Sequence, residues 1–549
     1  MEPPADQSPD AASRVRASPP GSTTTGGTGG GPVLVPVDGR PPAWRTFAIL
    51  VVAVLLIVAA VWIVPNLAGA RSGEPATTAA PSAVALASNA QPSPTPATSP
   101  AASAALSPGP AVPGPSVSLP AGRTLPAGSI AVVQADGSLS LVDAKGHTLV
   151  LSPPGDATHA FPAWSPDGSR LAAIRYDAGG TSIVVYDAKG LAAGDTSPPL
   201  VIFRSSKIGP FYASWTPDGR KVSFLADEAD LLSLRVAPAD GSAPLDGSGP
   251  GARIRTGNPF YFDWIGNDRL LAHVGTGAEA FLGEIGLDGA AAGPQLKAPG
   301  DFRSAVANHD ASLISYVRAG QSGGSSVVVS RRDGTREQTM PVFGTAGMTF
   351  QPSGDMVASI GPVAAGGQPF SIPIGPLRVL DPATGKVRTL LDGSVVSFWW
   401  SPDAKTIAAL RVQPVEGGTG GSGASASTEP TRSPAASSSP AASAAASVTP
   451  NGSGAPSPSQ PPSEVRLLFL DVASGRIESQ SVVEPGQLFI DQFLTYFDQY
   501  ALSHQLWAPD SSALLLPVAE PDGTTHISVI SRNGDPPLSL NGAIAFWSP

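Results

Sequence analysis

From Ser129 onward the chain alternates apolar and polar residues in short runs, the period of β-strands. FPAWSPDGSRLAAIRYD, Phe161 to Asp177, sets the pattern. It reads as a strand ending in Trp164, a turn at Ser165-Pro166-Asp167-Gly168, and a second strand from Leu171. The turn has its own chemistry: Pro fixes φ, Asp bonds back to nearby backbone, and Gly takes positive φ. Copies follow at Tyr212 (YASWTPDGRKVSFLAD), Ser397 (SFWWSPDAKTIAALRV) and His504 (HQLWAPDSSALLLPVA), and IAFWSP spans Ile544 to Pro549.

Aligned on the Trp position, the anchors are Trp164, Trp215, Trp264, Ala307, Phe350, Trp400, Trp507 and Trp547. Their spacings are 51, 49, 43, 43, 50, 107 and 40 residues. An apolar residue stands seven positions after each of the first seven anchors: Leu171, Val222, Leu271, Ile314, Val357, Ile407 and Leu514. That shared offset keeps the weak copies at Ala307 and Phe350 in the set. A period of about 40–50 residues with several strands per unit predicts propeller blades. The expected fold class is all-β: a single β-propeller of four-stranded blades, preceded by one transmembrane helix and disordered segments. The count is eight blades, or seven if one weak unit is misaligned.

Within a blade, LAAIRYD, SIVVYDAKG (Ser182 to Gly190) and PLVIFRS read as strands two, three and four. Ser129 to Ser152 supplies strands two to four of another blade, and Ala543 to Pro549 supplies a first strand with no second. The C-terminal strand is therefore expected to complete the N-terminal blade and close the ring. The anchor Trp residues are expected to pack between neighbouring blades. The turn aspartates Asp167, Asp218, Asp403 and Asp510 read as structural.

The first third has a different pattern. Residues 1–44 are rich in Pro, Gly, Ser and Thr and read as a disordered cytoplasmic tail. Phe47 to Val64 carries no charge. At 1.5 Å per residue it spans about 27 Å, close to a bilayer core, so residues 45–65 read as a transmembrane signal anchor. Trp44 and Trp62 lie near its ends, and Arg40 and Arg45 precede it. The positive-inside rule then places the N-terminus in the cytoplasm and the propeller outside the cell membrane. Ala68-Gly69-Ala70 resembles a cleavage site, so a cleaved signal peptide is the competing reading; the long preceding tail and long apolar run favour an uncleaved anchor. Residues 66–127 read as a Pro/Ala/Ser/Thr-rich stalk, and 128–549 as the propeller. The 107-residue spacing contains a disordered insertion, 415–463, between strands two and three of a blade.

Composition narrows the chemistry. With no Cys there is no disulfide, thiolate site or cysteine nucleophile. The net charge is −10 and no Lys/Arg run points to nucleic acid. Arg supplies 26 of the 33 basic residues, which fits a GC-rich bacterial genome. The six His form no close ligand pair, so no metal or cofactor is expected. Gly320-Gln321-Ser322-Gly323-Gly324 fits G-x-S-x-G, but a strand at Ser326 to Ser330 follows where a nucleophile elbow needs a helix.

One stretch breaks the rhythm: QLFIDQFLTYFDQYALSHQLW, Gln487 to Trp507. Its Phe493, Tyr496, Tyr500 and His504, with Phe211, Tyr212, Tyr261 and Trp399 from loops leading into other blades, are the candidate ligand- or partner-binding residues. The alternative for these aromatics is inter-blade packing.

The W-S-P-D-G-(K/R)-x-(I/L)-A unit, best matched at Trp164 to Ala172, Trp215 to Ser223 and Trp400 to Ala408, resembles the WD40-like repeat of the TolB-like propeller family (PD40 repeat). Related units form the propellers of prolyl-oligopeptidase-type peptidases. The resemblance covers about Ser129 to Pro549 and implies fold, not function. TolB's preceding α/β domain is replaced here by the anchor and stalk, so a Tol-system role does not carry over. The expected function is a membrane-anchored, extracytoplasmic, non-catalytic scaffold binding a protein or glycan of the cell envelope. The alternative is a polysaccharide lyase or glycosidase with its site at the channel mouth.

Overall fold

A computed structural model describes residues 111–549, except 229–230, 243–252, 297–302, 321–323, 364–372 and 416–462. The tail, the apolar run 47–64, most of the stalk and most of the insertion lie outside the described residues. Among the described residues no helix is long and apolar enough to cross a membrane.

The described chain is built of antiparallel sheets with a few short helical turns, and no sheet closes on itself. Its strands group into eight units in chain order. The second unit shows the pattern: Thr158–Trp164, Leu171–Asp177, Gly180–Tyr186 and Leu200–Ser205 pair in sequence order. The third is Gly209–Trp215, Lys221–Glu228, Leu231–Pro238 and Arg253–Gly257. The fourth has three strands, Phe260–Trp264, Arg269–Val274 and Phe281–Gly286. The fifth is Val306–Ala307, Leu313–Ala319, Gly324–Arg331 and Gln338–Phe343.

The sixth and seventh units share one seven-stranded sheet, because a single strand, Lys386–Trp400, serves both. Its first half is the outer strand beside Gly375–Asp381, in the unit begun by Gly347–Phe350 and Val357–Ile360. Its second half is the inner strand beside Thr406–Pro414, followed by Ser463–Asp471 and Ile477–Val483. Thr406–Pro414 and Ser463–Asp471 pair along their whole length, so the insertion leaves the sheet without breaking it. The eighth unit contains Ala513–Ala519, Thr525–Ser531 and Leu538–Asn541, with Trp507 bridging to Leu514.

The first unit joins the two ends of the domain. Ile130–Val133, Leu139–Val142 and Thr148–Ser152 take Ile544–Trp547 as their inner strand, with Ile130 opposite Trp547 and Val133 opposite Ile544. Val112–Pro113 adds a fifth strand on the outer edge. Leu125 is buried in the seam between the eighth and first units, and Val117 and Leu119 pack against it. The stretch 111–127, read from composition as stalk, is thus docked on the sheet, because its few aliphatic residues find an apolar seam.

The seven-residue offset is a cross-strand contact. Trp164 faces Leu171, Trp215 faces Val222, Ala307 faces Ile314, Phe350 faces Val357, Trp400 faces Ile407, and Trp507 bridges Leu514. In the fourth unit the turn is one residue shorter, and Trp264 faces Leu270. Asp167 accepts hydrogen bonds from the Ser165 and Ser169 hydroxyls, which hold its pKa down at about 2.

Each unit also reaches the one before it. Trp164 Nε1 donates to Phe546 O (3.1 Å), Trp215 Nε1 to Ala163 O (2.9 Å) and Trp264 Nε1 to Ser223 Oγ (3.0 Å). Ala307 N donates to Asp263 Oδ2 (2.8 Å), and Ser315 Oγ contacts Met348 Sδ (3.1 Å). Trp400 Nε1 donates to Thr349 O (3.4 Å), Trp507 Nε1 to Trp399 O (3.1 Å), and Trp547 N to Gln505 O (2.9 Å). The series returns to its start, so the eight units form a cycle. Separate apolar clusters fill the seams between the second and third, fourth and fifth, fifth and sixth, and eighth and first units. The arrangement is consistent with an all-β propeller.

Deleting Asn541 to Pro549 removes the inner strand of the first unit, and the cooperative thermal transition should be lost. A truncated chain that melts unchanged by circular dichroism would show that the closing strand is dispensable. At the turns, Gly168 and Gly219 have φ of 66° and 67°, while Ala404 and Ser511 take 60° and 61°. Ala404→Gly should therefore stabilise by roughly 0.5–1 kcal/mol in chemical denaturation. Ser511→Gly should gain less, because Ser511 Oγ accepts from Asp403 N at 3.0 Å.

Candidate functional site

The inner strands surround an axis whose two ends differ. One end is filled by the segment that breaks the repeat. Phe489–Phe493, Leu494–Tyr496 and Phe497–Tyr500 form consecutive helical turns. Phe489, Phe493, Phe497 and Tyr500 recur at helical spacing and all are buried. Phe489 stacks on Phe493 at 4.8 Å between ring centroids, and Phe493 on Tyr500 at 5.0 Å. The stack meets Phe161 of the second unit, Tyr212 of the third, Phe398 and Trp399 of the seventh, and Phe546 of the first. Gly347 of the sixth unit leaves room for it; a Cβ there would lie 2.7 Å from the Phe497 ring.

Polar side chains lock this plug. Gln499 Nε2 donates to Phe262 O (2.7 Å), and its Oε1 accepts from Phe262 N (3.1 Å). Tyr212 OH donates to Gln499 O (3.0 Å). Arg303 and Asp498 form a buried ion pair at 3.3 Å. Burial raises the Asp498 pKa, and the Arg303 charge opposes that rise.

His504 closes the segment. Its Nε2 donates to Phe161 O (3.1 Å), so Nδ1 is left to accept from Ser503 Oγ (2.7 Å). Phe161 holds φ of 40°, where its strand bulges between Ala160 and Ala163 and its carbonyl meets the ring. Burial lowers the His504 pKa to about 4, so the imidazole is neutral. His159 has the same shift from the same cause.

Beyond the plug, toward the turns, the axis opens into a cup of about 570 Å³. Its floor is Ala501 to His504, and its rim includes Pro166, Pro352, Pro402 and Pro549 from four units. Trp164, Trp215, Trp400, Trp507 and Trp547 back its wall. Ser214, Thr349, Gln351, Gln505 and the exposed His309 supply its polar groups. No Asp, Glu, Lys or Arg is among the described lining residues. Just behind the wall, burial raises the Asp263 pKa to about 7, against the hydrogen bond from Ala307 N.

The structure gathers most of the aromatic candidates around the plug. Tyr212, Tyr261, Trp399, Phe493, Tyr500 and His504 are buried, Phe211 is half-buried, and Tyr496 alone among them is well exposed, at 46%. Where the sequence pattern suggested an aromatic binding face, these rings mostly face each other. Ser503, His309 and the rim prolines line the cup and were not among the candidates. A signal for the prolines was present: Pro follows two residues after Trp164, Phe350, Trp400 and Trp547. Ser322 lies outside the described residues, while Gly324–Arg331 is the strand expected after it.

No protein-family model matches the chain, and no curated protein matches it. Among solved structures it is similar to dihydro-heme d1 dehydrogenase NirN, at 13% identity over 80% of this chain and 78% of that one, with a TM-score of 0.43. It is similar to TolB from Acinetobacter baumannii, at 17% identity over 48% of this chain and 64% of that one, with a TM-score of 0.31. An oligogalacturonate lyase in complex with manganese is 10% identical over 77% of this chain and 86% of that one, with a TM-score of 0.35. These three are β-propeller proteins. The fold assignment here rests on strand pairing and the cycle of contacts.

The buried His504 and the half-buried Asp263 give opposite pH dependences. The folded pKa of His504 is below its unfolded value of about 6.5, so its contribution to stability is full above that value and is lost as pH falls toward 4. Asp263 has a folded pKa raised above its unfolded value, so its contribution falls as pH rises from about 4 to 7. Asp263→Asn should stabilise by on the order of 2 kcal/mol at pH 8 and change little at pH 4. His504→Gln should flatten the acid side of the profile. Denaturant melts of both variants across this range check the signs, and parallel profiles for wild type and Asp263→Asn would refute the assignment.

Proposed function

We propose that this chain is a single-pass membrane protein displaying an eight-bladed propeller outside the cytoplasmic membrane. The propeller acts as a non-catalytic scaffold whose central cup binds a protein or glycan of the cell envelope. The observation that carries the reading is the cup: the aromatic plug lies toward one end of the axis, and the other presents a concavity of about 570 Å³ with no Asp, Glu, Lys or Arg among its described lining residues. Concave sites with apolar walls and a few polar groups are where ligands bind most often. The TolB-like family assignment belongs to the same proposal and draws on the anchor and turn repeat. The topology follows from the uncharged run 47–64 and the arginines before it.

A second reading has one observation in its favour. Ser503 at the cup floor points its hydroxyl at the neutral Nδ1 of His504, a placement open to acid–base chemistry of a propeller enzyme. Turnover of a panel of envelope polysaccharides would select it.

The test of the binding reading is site-specific photocrosslinking in cells. A crosslinker at Leu502 or His309, both lining the cup, should capture a discrete partner, whereas one at the exposed Val482 on an outer strand should not. Equal capture at Val482, or none at the cup positions, would remove the cup from consideration.

A further inference from the structure

The cup's open polar atoms are neutral acceptors. Gln351 and Gln505 each spend Nε2 on a carbonyl, Ala404 O at 2.9 Å and Trp507 O at 3.0 Å. Each Oε1 is left without a hydrogen-bond partner among the described residues. Both side chains are half-buried, and neither oxygen is sealed from water. With the exposed His309 ring they can accept from hydroxyl groups. Beside them Pro166, Pro352 and Pro549 present exposed apolar rings.

The surroundings disfavour a charged ligand. No Asp, Glu, Lys or Arg among the described lining residues would neutralise one, and desolvating an unpaired charge is costly. At the mouth Asp167, Asp310 and Asp403 directly follow lining residues and are exposed, so an anionic polymer would also meet like charge. A protein anchor usually brings a large aromatic or an Arg. The cup has no counter-charge for Arg, and its indoles are committed to the seams, with Trp164, Trp215 and Trp400 at most 8% exposed.

Strand direction shows which end of the axis the rest of the chain joins. The inner strand Ile544–Trp547 runs toward the rim, where Pro549 stands. Antiparallel pairing reverses that direction in turn through Ile130–Val133, Leu139–Val142, Thr148–Ser152 and Val112–Pro113, so the chain enters the first unit at the plug end. In the seventh unit Pro414 and Ser463 pair at the end of their strands away from the Pro402 turn, again the plug end. This favours an occupant from outside the chain. The plug lies beneath the floor, so a polymer would enter by its end rather than thread through.

We propose, resting on the cup as the binding site, that it receives the end of a neutral glycan. Sugar hydroxyls donate to Gln351 and Gln505 Oε1, and C–H faces lie on the rim prolines. At about 570 Å³ the cup has the size of a small-ligand site, which suits a short run of sugars.

The full chain in a sugar-free detergent should be titrated by calorimetry with N-acetylated chitotriose, cellotriose, maltotriose and mannotriose, and with two charged trimers, deacetylated chitotriose and trigalacturonate. At least one neutral trimer should bind, and both charged trimers should bind about tenfold more weakly or worse. The hexamer of the same sugar should bind within about threefold of its trimer, because only the end enters. Leu502→Trp fills the floor and should abolish binding. If that variant fails to fold, Gln505→Leu removes one acceptor and should weaken binding about fivefold. Binding by none of the neutral trimers overturns the proposal but leaves the cup open to a protein, which the crosslinks at Leu502 and His309 would capture. Equal binding of a charged trimer overturns it as well. Undiminished binding in whichever variant folds overturns both the proposal and the cup as the site.

Discussion

The structure depends on how the inner strands satisfy their free edges. Each inner strand pairs on one side only, which leaves backbone groups of the other edge facing the ring axis. An aliphatic anchor would pack as well as Trp but would donate nothing. The indole fills the seam and its Nε1 caps a carbonyl of the preceding strand, as Trp164, Trp215, Trp400 and Trp507 do. Where the anchor is not Trp, the link changes chemistry. At Ala307 the backbone N–H donates instead, and the acceptor is the Asp263 carboxylate of the preceding unit. That substitute has a cost visible in the raised Asp263 pKa.

A ring of this kind leaves two problems, an open circumference and a hollow axis. The circumference is closed by pairing Ile544–Trp547 with Ile130–Val133, which makes the stability of the first unit depend on residues more than 400 positions apart in sequence. Such closure is entropically expensive, but the cost rises only slowly with loop length, and each new seam buries apolar surface on both sides. The axis is filled by a separate device, the stack from Phe489 to Tyr500, which contacts several units at once and so couples seams that otherwise meet only their neighbours.

Much of the fold was legible because it repeats. The offset of seven residues between anchor and apolar partner was visible as a pattern, and its physical meaning is a strand pair across a tight turn. The closing strand was legible too, since an unpartnered first strand at one end matched a missing first strand at the other. The plug was harder. Phe489, Phe493 and Phe497 fall at helical spacing, but a single occurrence in a strand-rich chain lacks the reinforcement that eight anchors give. The docked stretch 111–127 was hidden by its Pro- and Gly-rich composition; Val117, Leu119 and Leu125 decide its fate through a seam formed elsewhere. The Ser503–His504 contact depends on which carbonyl faces His504, and that was fixed by a bulge at Phe161.

The cup gains its rigidity from the same turns that mark the repeat. Arg170 Nη2 reaches Gly219 O, Asn267 Oδ1 accepts from Asp218 N, and Asn308 Nδ2 reaches Asp355. Gln351 Nε2 reaches Ala404 O, and Ser511 Oγ accepts from Asp403 N. Each bond joins one unit's turn to the next, so the rim is braced around much of its circumference, while the plug braces the floor. A ligand entering such a cup would spend little of its binding free energy on ordering the protein. If the cup binds a ligand as proposed, rigidity of this kind would favour selection by shape, and with no Asp, Glu, Lys or Arg among the described lining residues, discrimination would come from shape and from neutral hydrogen bonds.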